Sequence, residues 1–213
     1  MTLSRNATAV HEASHAIMSF LLDAPFKHVI LFDDRTGEVR PICLSCHVED
    51  EAICDSCLKH YLQNEPDTDG HSRGIENGLW VVAAIAVAGQ IGEECVHGHC
   101  DGSPADTERD RQIIRYRSCL LHFRSRPECF RDSLWEVDSP CAGCADMLSR
   151  IQCYVRDQLS EATHLSALKE LATALEARSE LPWNAVEGLL ESHGVVRASA
   201  VQDLECLALR GKA

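Results

Sequence analysis

Thr8-Ala9-Val10-His11-Glu12-Ala13-Ser14-His15-Ala16 is the stretch on which the fold of this chain turns. Around it, Ala9, Val10, Ala13, Ala16, Ile17, Phe20 and Leu21 recur at helical rather than strand spacing, which predicts a helix from about Asn6 to Leu22 with Ser4 or Asn6 as its N-cap. Residues four apart share one face of a helix, so His11 and His15 present two imidazoles to a single cation, with Glu12 beside them. Catalytic zinc takes three protein ligands and keeps a position for water, and an adjacent carboxylate accepts that water's proton as it attacks a peptide carbonyl. The pattern thus offers two ligands, His11 and His15, and a general base, Glu12. By chemistry the third ligand comes from Glu93 or Glu94, from His97 or His99, or from Asp106 or Asp110. Glu93 is also a candidate to orient a ligating imidazole, a need usually met by a carboxylate or carbonyl.

Beyond this helix, Lys27 to Phe32 is a short β-rich run closed by Asp33-Asp34-Arg35-Thr36-Gly37, which predicts a strand, a turn and a second strand through Ile42. Helices are expected over Ile75 to Val96, Asp106 to Arg124, Met147 to Leu159 and Leu165 to Leu175, with a last one after Pro182. The fold class that follows is mainly α with a small β-sheet, one domain over residues 1–213. Its most apolar stretch, Leu79 to Ala88, is about half of the ~20 residues a bilayer requires, so it is expected to be a buried helix and no membrane span is expected. No basic segment followed by an apolar core opens the sequence, and a cytoplasmic location is expected. With 20 Lys and Arg against 33 Asp and Glu, the formal charge of -13 repels phosphate backbones and disfavours nucleic acid as a partner.

Twelve cysteines in a chain read as intracellular favour metal ligation over disulfides. Cys43-x-x-Cys46 and Cys54-x-x-Cys57 form two knuckles whose four thiolates suit a tetrahedral structural zinc, in a module over residues 39–62 that interrupts the domain. Cys141 and Cys144 form a further pair. Cys95, His97, His99 and Cys100 cluster at the expected end of the Ile75 helix and read as a loop lining the cleft or as solvated residues. A thioredoxin-like role is disfavoured, because no βαβ pattern surrounds any of these pairs.

Several segments in order resemble the peptidase domain of the FtsH-type ATP-dependent zinc metalloproteases. Thr8 to Ala16 is similar to that family's active-site helix, Phe26 to Gly37 to the strand and turn that follow, and Ala88-Gly89-Gln90-Ile91-Gly92-Glu93-Glu94 to its Ala-Gly-Arg-x-Ala-Glu-Glu helix. Ser14 stands where the family usually has Gly, and Gln90 where it has Arg. Gly102-Ser103-Pro104-Ala105-Asp106 is similar to the segment whose aspartate is the third zinc ligand, so the resemblance implies Asp106 in that role. Leu168 to Leu190 loosely resembles the closing helices. The resemblance implies a zincin-like metallopeptidase domain, here carrying a cysteine-rich insertion that the family lacks. No Gly-rich phosphate loop is present. The expected function is therefore an ATP-independent zinc metalloendopeptidase acting on peptides or unfolded proteins, with one catalytic and one structural Zn²⁺, as a homo-oligomer or with a separate ATPase partner. The rival expectation is a catalytically inactive, zinc-stabilised binding or regulatory module derived from a peptidase domain.

Overall fold

The structure is a computed structural model that describes residues 5–32, 36–41, 70–99, 110 and 142–197, without the side chains of 70–76 and 142–144. Among these residues the protein is mainly helical, with five helices and one three-stranded antiparallel sheet. In chain order they are α1 (Arg5–Leu21), β1 (Phe26–Leu31), β2 (Gly37–Pro41), α2 (Gly70–His97), α3 (Ala142–Ser160), α4 (Ala162–Arg178), β3 (Glu180–Pro182) and α5 (Trp183–Ser192). The cysteines Cys43, Cys46, Cys54, Cys57 and Cys141, and the predicted helix of 106–124 apart from Asp110, lie outside the described residues. Of the module assigned to 39–62, Val39, Arg40 and Pro41 complete β2.

α1 is the hub of the fold. Every residue from Ala7 to Leu21 is buried, on all faces and not along one stripe. Small residues make this possible: Ala9, Ala13, Ser14 and Ala16 let α2 approach on one side and α4 on another while Ile17, Phe20 and Leu21 fill the core. The helix ends in a Schellman arrangement, with the Asp23 amide donating to the Phe20 carbonyl at 3.2 Å and the Ala24 amide to the Ser19 carbonyl at 2.8 Å. Asp23 takes the left-handed conformation this requires, φ 51°, and Pro25 prevents continuation.

β1 is the central strand, in the order β2-β1-β3. Phe26 and Val29 are both buried although three apart, an odd spacing that a register shift between them in the β1–β2 pairing accommodates. β3 is the element the sequence pattern did not predict. It pairs antiparallel with β1, with Val29 opposite Leu181, and the Leu31 amide adds a bond to the Ser179 carbonyl at 2.8 Å. Ser179 caps α4 at φ 62° and accepts a hydrogen bond from the Arg5 guanidinium at 2.7 Å, so the turn into β3 is anchored to the start of α1.

α2 starts at Gly70 rather than Ile75 and is longer than its apolar Leu79 to Ala88 run. Its segment Asn77–His97, 21 residues of mean hydropathy 1.5, matches a membrane span in length and composition, and 72% of that apolar window is buried within the protein. The helix packs along α1 on one side and α3 on the other, with Leu79, Ala83 and Ala88 fully enclosed. α4 closes the core from the opposite side of α1 through Leu168, Leu171 and Leu175, all 0% exposed.

Candidate metal centre

His11 and His15 lie one turn apart on α1, as the helical period requires, with ring centres 4.7 Å apart and ring planes at 81°. Two imidazoles bound through nitrogen at ~2.1 Å to one tetrahedral ion have ring centres roughly 5 Å apart, so the pair is already spaced for a shared cation. His11, Glu12 and His15 offer ligand atoms that all lie within 4.8 Å of one another.

The orientation of each ring is set by α2. The Nδ1 of His11 lies 2.7 Å from Oε1 of Glu93, and the Nδ1 of His15 lies 2.6 Å from the Ile85 carbonyl. An Nδ1–H donated to each acceptor leaves both Nε2 atoms as the metal-facing lone pairs, the arrangement that ligating histidines usually show. Ile85, Gly89 and Glu93 are four residues apart and so form one stripe of α2. Between the two acceptors, Gly89 faces the His11 ring so closely that a Cβ there would sit 2.5 Å from Cε1 and 2.7 Å from Cδ2. Gly92 does the same for Ser14, whose hydroxyl donates to the Val10 carbonyl at 2.6 Å. Ser14, with its small side chain, thus occupies the α1–α2 crossing beside the metal face.

The Nε2 atoms converge on Asp110. One carboxylate oxygen, Oδ2, is 2.9 Å from Nε2 of His11 and 3.4 Å from Nε2 of His15. The longer separation matches the ~3.4 Å between ligand atoms around four-coordinate zinc, and the shorter is a hydrogen-bond distance that lies below it. Asp106, which the family resemblance implies as third ligand, lies outside the described residues, whereas Asp110, a candidate on chemical grounds, reaches both imidazoles.

Neither a family model nor a curated protein matches this chain.

The electrostatics follow from the burial of the group. Burial pulls the pKa of His11 down, but hydrogen bonds to Asp110 and Glu93 and the charges of Glu12 and Asp110 outweigh it, leaving the imidazole well above its ordinary 6.5. For His15, burial is likewise overcome by the charge and hydrogen bond of Asp110, against the opposing charge of His11, and its pKa is raised. Burial pushes Asp110 up, but the two imidazoles hold it well below the usual carboxylate range. The two imidazoles and the Asp110 carboxylate thus favour one another's charged forms. His11, His15 and Asp110 would bind a divalent ion at this position only with the imidazole protons released, which makes any such binding pH-dependent.

Glu93 is 0% exposed and turned towards His11, whereas its neighbour Glu94 faces α3, from which Arg156 donates to it at 2.6 Å, and accepts from the Gln90 amide of its own helix at 3.2 Å. Glu12 is 3% exposed and has Gly37, at the start of β2, against its side chain. Cys95 is half-buried, with its thiol pKa pushed up by burial, and Cys153 is exposed; both thiols are free. His97 and His99 stand with ring centres 6.4 Å apart, wider than the His11–His15 pair. Three contributors escaped the sequence pattern. The Ile85 carbonyl is a backbone group that no residue type announces, and Gly37 and Gly89 are informative only once their neighbours on α1 are known.

Proposed function

We propose that this chain is a zinc metalloendopeptidase, a zincin-like domain of the FtsH peptidase type with a cysteine-rich insertion, cleaving peptides or unfolded proteins without ATP. The observation that carries the reading is the convergence of two imidazole Nε2 atoms on one carboxylate oxygen while both Nδ1 atoms are held by acceptors from α2. A hydrogen-bonded core of histidines has no need to aim two nitrogens at one point. His11, His15 and Asp110 would hold the ion, two neutral nitrogens and one carboxylate being a donor set that suits zinc. Zinc bound there supplies a Lewis acid that polarises a carbonyl and lowers the pKa of a water towards ~7.

The chain's own groups do the remaining work. Glu12 takes the proton from the water that attacks the peptide carbonyl and returns it to the leaving nitrogen, so that the amine departs neutral. Glu12 is 3% exposed and lies with its carboxylate within 4.8 Å of the ligand nitrogens of His11 and His15, placed to act on a water held there. Glu93 and the Ile85 carbonyl hold the imidazoles in the tautomer that presents Nε2. The same reading assigns a second, structural zinc to Cys43, Cys46, Cys54 and Cys57, a cytoplasmic location, and assembly as a homo-oligomer or with a separate ATPase.

The test is Glu12→Gln in zinc-loaded protein, assayed on a fluorogenic peptide library and on an unfolded protein. The expected result is a loss of about 10²- to 10⁴-fold in cleavage rate with bound zinc unchanged. Equal cleavage by the variant rejects the mechanism. No cleavage by the parent protein at full zinc occupancy favours the inactive binding module.

A further inference from the structure

Gly37 is the first residue of β2, opposite Leu31 in the β1–β2 ladder. Its φ is not left-handed, unlike those of Gly98 and Gly194, so the backbone conformation alone does not call for glycine there. What a side chain would meet is specific. A Cβ on Gly37 would run into Cγ of Glu12 and lie 2.8 Å from its Cδ and 2.9 Å from its Oε1, the three nearest atoms all belonging to that one carboxylate side chain. On an exposed residue such an overlap is relieved by swinging the side chain into water. Glu12 is 3% exposed on a helix enclosed on all sides, so that escape is closed.

We propose that Gly37 is a positioning residue for Glu12: the bare backbone at the start of β2 forms the wall against which the carboxylate is seated. β2 thereby fixes where the base sits relative to the imidazoles. β1 holds β2 in that place through the pairings Val29 with Val39 and Leu31 with Gly37. A single added methyl group separates two functions that share one helix turn, displacing the base while leaving the metal ligands where they are.

The experiment is a double-substitution cycle read first by thermal unfolding, which needs no activity. Gly37→Ala is expected to lower the melting temperature by about 3 to 10 °C, the usual effect of overpacking in a protein of this size. In a Glu12→Ala background the room exists, and Gly37→Ala is expected to be neutral or to raise the melting temperature, because alanine narrows the unfolded ensemble. An equal loss in both backgrounds overturns the proposal. Should Gly37→Ala not fold alone, recovery of folding with Glu12→Ala supports the proposal and continued failure overturns it. The kinetic arm rests on the peptidase reading: Gly37→Ala lowers kcat at least tenfold with KM and bound zinc unchanged, and an unaltered kcat overturns the positioning role. If the parent cleaves nothing, the peptidase reading fails while the unfolding cycle still decides for or against Gly37.

Discussion

Replacing Glu93 by Gln tests how α2 would control the metal that the proposed function calls for. The carboxylate is 0% exposed, its Oε1 is 2.7 Å from the His11 Nδ1, and the amide of Gln is nearly isosteric, so the acceptor is kept and only its charge is removed. A charge-assisted bond is roughly twice as strong as a neutral one, and partners of ligating histidines are worth about 10- to 100-fold in metal affinity. Retaining the acceptor puts Glu93→Gln at the lower end, about tenfold weaker zinc binding or ~1.4 kcal/mol. The loss depends on pH with a definite sign. Glu93 strengthens the lone pair that binds metal and also the proton that competes for the imidazole, since its hydrogen bond helps raise the His11 pKa. In alkaline solution only the first effect remains and the full difference shows; towards acid the variant's His11 also releases its proton more readily, and the two proteins converge. Competition against a chelator between pH 6 and 9, counting the zinc equivalent that His11→Ala removes, measures both. Equal affinities at pH 9, or a gap that widens towards acid, refute the argument.

Asp110→Ala should weaken zinc binding more than Asp106→Ala, measured by the same competition, and the reverse order returns the third ligand to Asp106. Chelator-treated protein should melt higher near pH 6 than near pH 9. The raised pKa values of His11 and His15 give stability that is complete below their unfolded value of 6.5 and is lost as pH rises through their folded values, while the lowered Asp110 adds stability lost only as pH falls below about 3.8. A chelated protein that gains stability on passing from pH 6 to 9 contradicts this. Gly89→Ala drives a Cβ into the His11 ring and should cost about 1 to 3 kcal/mol together with zinc occupancy. Gly188→Ala in α5, where a Cβ meets nothing within 4 Å, should instead gain about 0.5 to 1 kcal/mol by chemical denaturation. Equal effects at the two glycines undo the packing argument.

The helices among the described residues were legible because their signal is local. Apolar spacing around His11 and His15 placed α1 to within a residue or two, and that placement alone brings two imidazoles onto one face. The β1–β2 pair was legible for the same reason, through the β-rich run from Lys27 to Phe32 and the turn-type residues after it. Glu180-Leu181-Pro182 was not, since three residues carry no alternation and become a strand only by pairing with β1, distant in sequence. Choosing between Asp106 and Asp110 meets the same limit. The two aspartates are four apart in a segment expected to be helical, equal in chemistry, and only tertiary placement decides which meets the imidazoles.

The long helix α2 supplies partners for the buried histidines that do not depend on an ion. Burying two histidines costs several kcal/mol unless each ring nitrogen has a partner. Ile85 and Glu93 satisfy the Nδ1 atoms, and Asp110 faces both Nε2 atoms, so no buried nitrogen in the pair is orphaned. Proteins whose metal ligands lack such partners fold only when the ion binds. The α1–α2 crossing, held close by Gly89 and Gly92, orders both rings. Of these partners only Asp110 faces the Nε2 atoms, so under the proposed metal reading the same carboxylate bears both on the pH dependence of stability and on the affinity for the ion.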